Sequence, residues 1–112
     1  MAKKSPKEAF FAAVPPAKTT TLILEGQNVT IRAMNVGQRI DFETSAAGKS
    51  SSEVALLAVV SSVVDADGDL IFTADDIPQL KTLPPDYILP IMKTVLKTNS
   101  LTDEDVGDLA KN

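Results

Sequence analysis

The 112-residue sequence predicts an α+β fold, a mostly α-helical single domain with one N-terminal β-hairpin. Two β-prone runs, Thr20–Leu24 and Val29–Ala33, flank a loop over 25–28 in which Gly26 or Asn28 suits a positive φ. From Asn35 onward the apolar residues recur with helical spacing instead. The change of period after the hairpin is what indicates the fold class.

The composition excludes several classes of protein. The chain has no Cys, His or Trp, so it has neither the usual zinc ligands, nor disulfides, nor a histidine-activated nucleophile. A hydrophobic content of 44% is ordinary for a globular domain and too high for a disordered chain. We therefore expect one small domain that is not an enzyme and that uses no cofactor.

Charge is unevenly distributed along the chain. Residues 1–18 carry four Lys and one Glu, a net +3, whereas residues 19–112 carry 7 basic and 14 acidic side chains, a net −7. An acidic body repels phosphate, so nucleic acid is not expected as a partner. The longest apolar run, Val54–Val60, is too short to span a bilayer, and 9–14 is too short for a secretory signal. The sequence thus predicts a cytoplasmic protein without membrane contact.

Residues 1–18 are predicted to form a short helical arm, separate from a domain over 19–112. Ser5–Glu8 is typical of a capped helix start, and Pro15-Pro16 ends that helix soon afterwards. So short a helix has little surface with which to hold itself to the body, and the sequence leaves open whether the arm is mobile. We predict that the apolar residues of the arm mediate self-association into a homo-oligomer: Phe10, Phe11 and Val14.

Further helices are predicted along the domain. Asn35 with Gln38, and Ser50 with Glu53, are spaced as capping boxes that begin two of them. The second is expected to continue to Val64, although its β-branched residues leave a strand open. The other helices are predicted over 73–83, 86–98 and 103–110.

The segment 86–98 is the most amphipathic part of the chain, with apolar residues at i, i+3, i+4, i+7 and i+8. In a domain this small, most of such a stripe is expected to form the core. The same stripe is also the candidate surface for a partner helix. The candidate partner-binding residues are Tyr87, Ile88, Ile91, Met92 and Val95.

Two motifs suggest chemistry but are better explained as turns. Asp65–Asp69 has the carboxylate spacing of a calcium loop, yet Leu70 occupies the position that requires glycine. Gly48-Lys49-Ser50 matches the end of a phosphate-binding loop, but the glycine needed five residues earlier is Glu43. The remaining acidic clusters fall at predicted helix starts, where carboxylates stabilise free amides. No catalytic, cofactor-binding or metal-binding residues are therefore predicted.

Three blocks share their order and spacing with a known family. Arg32–Glu43 is similar to the pattern R-x-M-(S/T)-x-x-x-R-x-x-(F/L)-E, with Asn35 in place of Ser or Thr. Val64–Ile77 is similar to D-x-D-G-x-x-(L)-F-(T/S)-x-x-D-(I/V), and 99–112 is similar to N-x-L-(T/S)-x-E-D-V…K-N. Together these blocks, over about residues 30–112, resemble the tail assembly chaperones of long-tailed, siphovirus-type bacteriophages and prophages.

The resemblance implies a role in assembly rather than in chemistry. Proteins of that family bind the tape measure protein, keep it soluble and promote tail-tube polymerisation around it. They act in the cytoplasm of the bacterial host and are absent from the mature virion. The alternative is a permanent phage morphogenesis component, such as a connector or a tail-completion subunit.

The resemblance also implies a longer form of the chain, made by ribosomal frameshifting, that contacts tail-tube protein. The codons of Ala110, Lys111 and Asn112 are the candidate frameshift site. The implied partners are thus the tape measure protein, the longer form of the chain itself and, through that form, tail-tube protein.

Overall fold

One helix, α3 (Ser51–Val60), forms the centre of the fold in the computed structural model, which describes residues 5–111. Every residue from Val54 to Val60 is buried, because this helix is apolar on all sides and must be covered all round. Other helices pack against α3: α2 (Val36–Ala46), α4 (Ile77–Leu80), α5 (Pro85–Thr98) and α6 (Asp103–Lys111). A short 3₁₀ helix, Ala74–Asp76, leads directly into α4.

A three-stranded antiparallel sheet completes the core. Its strands are β1 (Thr19–Leu24), β2 (Gln27–Arg32) and β3 (Val63–Val64), in the order β1-β2-β3. Residues alternate between exposed and half-buried along β1, and Ile31 of β2 is fully buried. Helix α5 contacts both α3 and the two hairpin strands, so it joins the sheet to the helical core. The predicted α+β fold with an N-terminal hairpin is confirmed.

The hairpin turn is tighter than predicted. Leu24 pairs with Gln27, which leaves only Glu25 and Gly26 in the turn, with φ of 48° and 76°. A two-residue turn with both φ values positive matches the twist of the flanking strands. Gly26 therefore takes the predicted conformation, whereas Asn28 lies within β2 and pairs with Ile23.

The helix predicted to continue to Val64 instead ends at Val60, and β3 follows it. Val63 pairs with Ile31 and Val64 with Thr30, and Arg32 N donates to Ser62 O at 2.9 Å. The side of β2 that faces away from β1 offers free backbone groups at this point, and extended backbone suits β-branched valines. Burial against β2 thus decides between the helix and the strand that the sequence left open.

The N-terminal arm projects from this body. Helix α1 (Pro6–Ala12) begins with the predicted capping box, in which Ser5 Oγ accepts from Glu8 N at 3.1 Å. Every residue from Ser5 to Thr19 is exposed. The radius of gyration is 16.0 Å, against about 13 Å for a compact domain of this length, as expected for a body with a protruding segment. Within the described residues, no helix is long and apolar enough to cross a membrane.

A buried asparagine at the end of α5, Asn99, forms hydrogen bonds to two connections that are distant along the chain. Asn99 Oδ1 accepts from Met34 N at 2.8 Å, in the link between β2 and α2. Its Nδ2 donates to Ser62 Oγ at 2.9 Å, in the link between α3 and β3, and to Val95 O at 2.8 Å. Asn99 and Ser62 are both buried, so water does not replace these partners.

We predict that Asn99→Ala lowers the free energy of unfolding by about 2–4 kcal/mol, because it leaves the Met34 amide and the Ser62 hydroxyl without their partner. Urea unfolding measures the difference. The matched control is Asn28→Ala, at an exposed asparagine, for which a change within about 0.5 kcal/mol is expected. Equal effects of the two substitutions would contradict the role given to Asn99.

The chain leaves α5 through a Schellman motif that lacks its usual glycine. Leu101 N donates to Leu96 O at 2.8 Å and Ser100 N donates to Lys97 O at 3.0 Å, while Ser100 has φ of 56°. A serine in the left-handed region bears a steric cost that glycine avoids.

Ser100→Gly is accordingly expected to stabilise the protein by about 0.5–1 kcal/mol, as the left-handed conformation becomes unstrained. The midpoint of thermal unfolding should rise. Ser52→Gly, at an exposed position inside α3, is the matched control and should lower it. A lower midpoint for Ser100→Gly would show that the Ser100 side chain stabilises the folded protein by more than its left-handed conformation costs.

Candidate protein-binding surfaces

The structure corrects part of the predicted partner-binding surface. Ile88, Ile91 and Val95 are 8%, 6% and 0% exposed, in the core that α5 forms with α3 and the sheet. Val95 is therefore not available to a partner, as the core interpretation of the stripe anticipated, whereas Ile88 and Ile91 keep only the small surface by which they line the hollow described next. Tyr87 and Met92 are half-buried at the edge of this core and keep part of their surface open.

An apolar hollow lies where the start of α5 meets the turn end of the hairpin. Its volume is about 210 Å³. Two shallower, more open depressions beside it share Leu83 with it and extend it toward Leu24 on one side and Gln79 on the other. We call this continuous surface the trough. The apolar residues that line it include Leu24, Val29, Phe72, Leu80, Leu83 and Tyr87.

Carboxylates line the outer parts of the trough. Glu25 and Asp86 lie with Leu24 and Tyr87 at one end, and Asp76 lies with Leu80 at the other. Glu25 and Asp86 are exposed, and Asp76 is half-buried. The trough therefore has an apolar floor and an acidic rim.

The arm displays an aromatic pair to solvent. The rings of Phe10 and Phe11 meet edge to face, with centroids 5.3 Å apart, and are 69% and 63% exposed. Val14 is 59% exposed. The three residues predicted for self-association are thus all accessible.

A second exposed apolar pair lies on α2. Val36 is 78% exposed and Ile40 is 58% exposed, one helical turn apart on the same face. Helical spacing placed both residues on α2 but did not indicate their exposure, because Phe42 and Ala46 on another face are the residues that α2 buries. The sequence contains one signal for this exposure: at 3.6 residues per turn, Val36 and Ile40 lie on a different face of the helix from Phe42 and Ala46.

Asp65–Asp69 forms a turn. Asp65 Oδ1 accepts from the backbone amides of Asp67 and Asp69 at 2.9 and 3.0 Å, so this carboxylate oxygen stabilises the turn itself. Gly68 has φ of 86°, and a Cβ placed there would lie 2.9 Å from Arg32 Nη1. Among residues 5–111, no three acidic side chains come together as metal ligands.

Two carboxylates at helix starts have shifted pKa values. Lys81, whose Nζ lies 3.7 Å from Glu53 Oε2, lowers the pKa of Glu53, and the Ser50 hydroxyl adds to this effect. The backbone amide of Thr102 and then its side chain lower the pKa of Asp105 at the start of α6. Both shifts favour the ionised form, which suits helix capping.

The predicted frameshift residues lie at the end of α6. Ala110 O accepts from Gly48 N at 3.2 Å, and Lys111 is exposed. Asn112 lies outside the described residues. This arrangement places Ala110 against the connection between α2 and α3, so α6 is held to the body close to its last residue.

Comparisons with known proteins give no family assignment. No protein-family profile matches the chain, and no curated protein or solved structure is significantly similar to it.

Proposed function

We propose that this protein is a phage tail assembly chaperone. In this role it binds the tape measure protein, keeps it soluble and promotes polymerisation of the tail tube around it, in the cytoplasm of the host and without remaining in the virion. The observation that carries the proposal is the resemblance of the three ordered sequence blocks over about residues 30–112. The exposed apolar side chains on an acidic body support it.

The physical requirements of such a chaperone agree with the surface of this chain. A long apolar helical protein aggregates unless its surface is covered, and many soluble copies can cover it. An acidic body keeps the resulting complex soluble, while exposed apolar residues supply the contacts. Release before completion calls for modest affinity per copy, with avidity from several copies.

We propose the exposed face of α2 as the surface that contacts the tape measure protein. Val36 and Ile40 offer adjacent apolar side chains that the fold of the chain itself leaves uncovered. They also lie within the first block of the resemblance, Arg32–Glu43. An amphipathic helix from the partner can pair with such a face through apolar residues at i and i+4.

Co-expression with the tape measure protein encoded in the same genome tests this surface. We expect the wild-type chain to raise the soluble fraction of the tape measure protein and Val36→Ser with Ile40→Ser to remove most of that gain. The matched control is Ile23→Ser, on an apolar residue that is 74% exposed on β1. No gain from the wild-type chain would contradict the proposed function, and loss with Ile23→Ser alone would contradict the choice of α2.

A second experiment examines the longer product and the fate of the chain. Expression of an N-terminally tagged gene with its native downstream DNA should give a minor longer product that disappears when the codons of Ala110, Lys111 and Asn112 are silently recoded. Mass spectrometry of purified virions should find neither form. Retention of the chain in virions would favour a permanent connector or tail-completion subunit instead.

A further inference from the structure

We propose that the arm of one copy occupies the trough of a second copy, so that copies join head to tail. This inference rests on the multi-copy action in the proposed function and identifies both halves of the self-association contact. The donor half is the aromatic pair Phe10–Phe11 on α1. The acceptor half is the trough, whose floor includes Phe72, Leu83 and Tyr87.

The size and chemistry of the trough suit an aromatic ring. A closed apolar cavity of roughly 150 Å³ admits benzene. The hollow at the centre of the trough, at about 210 Å³, therefore has room for a phenyl ring. Burial of Phe10 or Phe11 there removes a large apolar area from water on both copies at once.

Charge complementarity selects the arm as the occupant. Residues 1–18 have a net charge of +3, and Lys7 lies on α1 one turn from Phe10 and Phe11. The rim of the trough carries Glu25, Asp76 and Asp86. A basic helix with apolar side chains thus meets an apolar floor with an acidic rim, and the opposite charges steer the two together.

The arm of the same copy lies at the wrong end of the hairpin. Lys18 O accepts from Ala33 N at 2.8 Å, and 14–17 lie beside 32–38, at the end of the hairpin opposite its turn. The trough begins at the turn, about 20 Å away along a six-residue strand. In the structure 14–17 stay at that end, helix α1 adds only seven residues, about 10 Å, and no described residue of the arm lines the trough. We therefore assign the arm in the trough to a second copy.

A contact of this kind is heterologous, because each copy contributes one arm and one trough. Such contacts form rings when the rotation closes and open chains when it does not. The arm offers a small contact area, so association is expected to be weak and to depend on concentration.

Cysteine cross-linking tests the contact directly, since the sequence contains no native cysteine. One sample mixes full-length Ala12→Cys with full-length Gln79→Cys, which place thiols on the exposed end of α1 and beside the trough. The matched control replaces Gln79→Cys with Lys97→Cys, at an exposed site near the other end of α5. We expect the first mixture to form at least about tenfold more mixed disulfide dimer than the control.

Charge reversal and ring removal test the same contact without cysteines, by sedimentation velocity over a concentration series. Phe10→Ala with Phe11→Ala should weaken self-association at least about tenfold, and Ile23→Ala should leave it unchanged. Lys7→Glu and Asp86→Lys should each weaken self-association when alone. A mixture of these two variants should recover association, because the reversed arm then meets a reversed rim.

Several outcomes would overturn the proposal. The wild-type chain could remain monomeric at every concentration, or Ala12→Cys could link equally to both partner sites. If Tyr87→Ser leaves self-association intact but abolishes solubilisation of the tape measure protein, the trough belongs to that partner instead. Cross-links that form as expected, with no effect of the chain on the tape measure protein, would sustain this contact and refute the proposed function.

Discussion

The burial of α3 on all its sides is the constraint on which the rest of the structure depends. A helix that is apolar all round has to be covered on all its sides, so α2, α4, α5 and α6 are arranged about it. Asn99 then fixes how these layers meet, since its amide holds the connections at Met34 and Ser62 to the end of α5. The hydrophobic effect brings the helices together, and the buried Asn99 side chain holds two connections to the end of α5.

The packing around α3 determines which apolar residues are buried and which remain exposed on the surface. The apolar face of α5 packs into the core, where Ile88 and Val95 are buried. Exposed apolar residues remain where no layer reaches, among them Phe10 and Phe11 on α1, Val36 and Ile40 on α2, and Ile23 on β1. A small acidic domain with such separate apolar patches is suited to binding proteins at more than one surface.

Local signals in the sequence predicted the local structure correctly because they act over a few residues. The capping boxes at Ser5 and Asn35 and the turn at Asp65 depend only on hydrogen bonds within four residues, and all three form. Burial was predicted less well, since the amphipathic stripe could face either the core or a partner. Nothing in the local pattern indicated that Tyr87 and Ile88 would line a hollow together with residues of the hairpin.

The sequence by itself determined the class of fold, the helix starts and the separation of a basic arm from an acidic body. Those properties follow from periodicity, capping and charge, which are local or summed quantities. Only the tertiary structure decided that Val63–Val64 is a strand, that α5 faces inward and that Leu83 joins residues from the hairpin and α4 in one trough. These outcomes depend on contacts between residues distant along the chain, whose burial no single segment specifies.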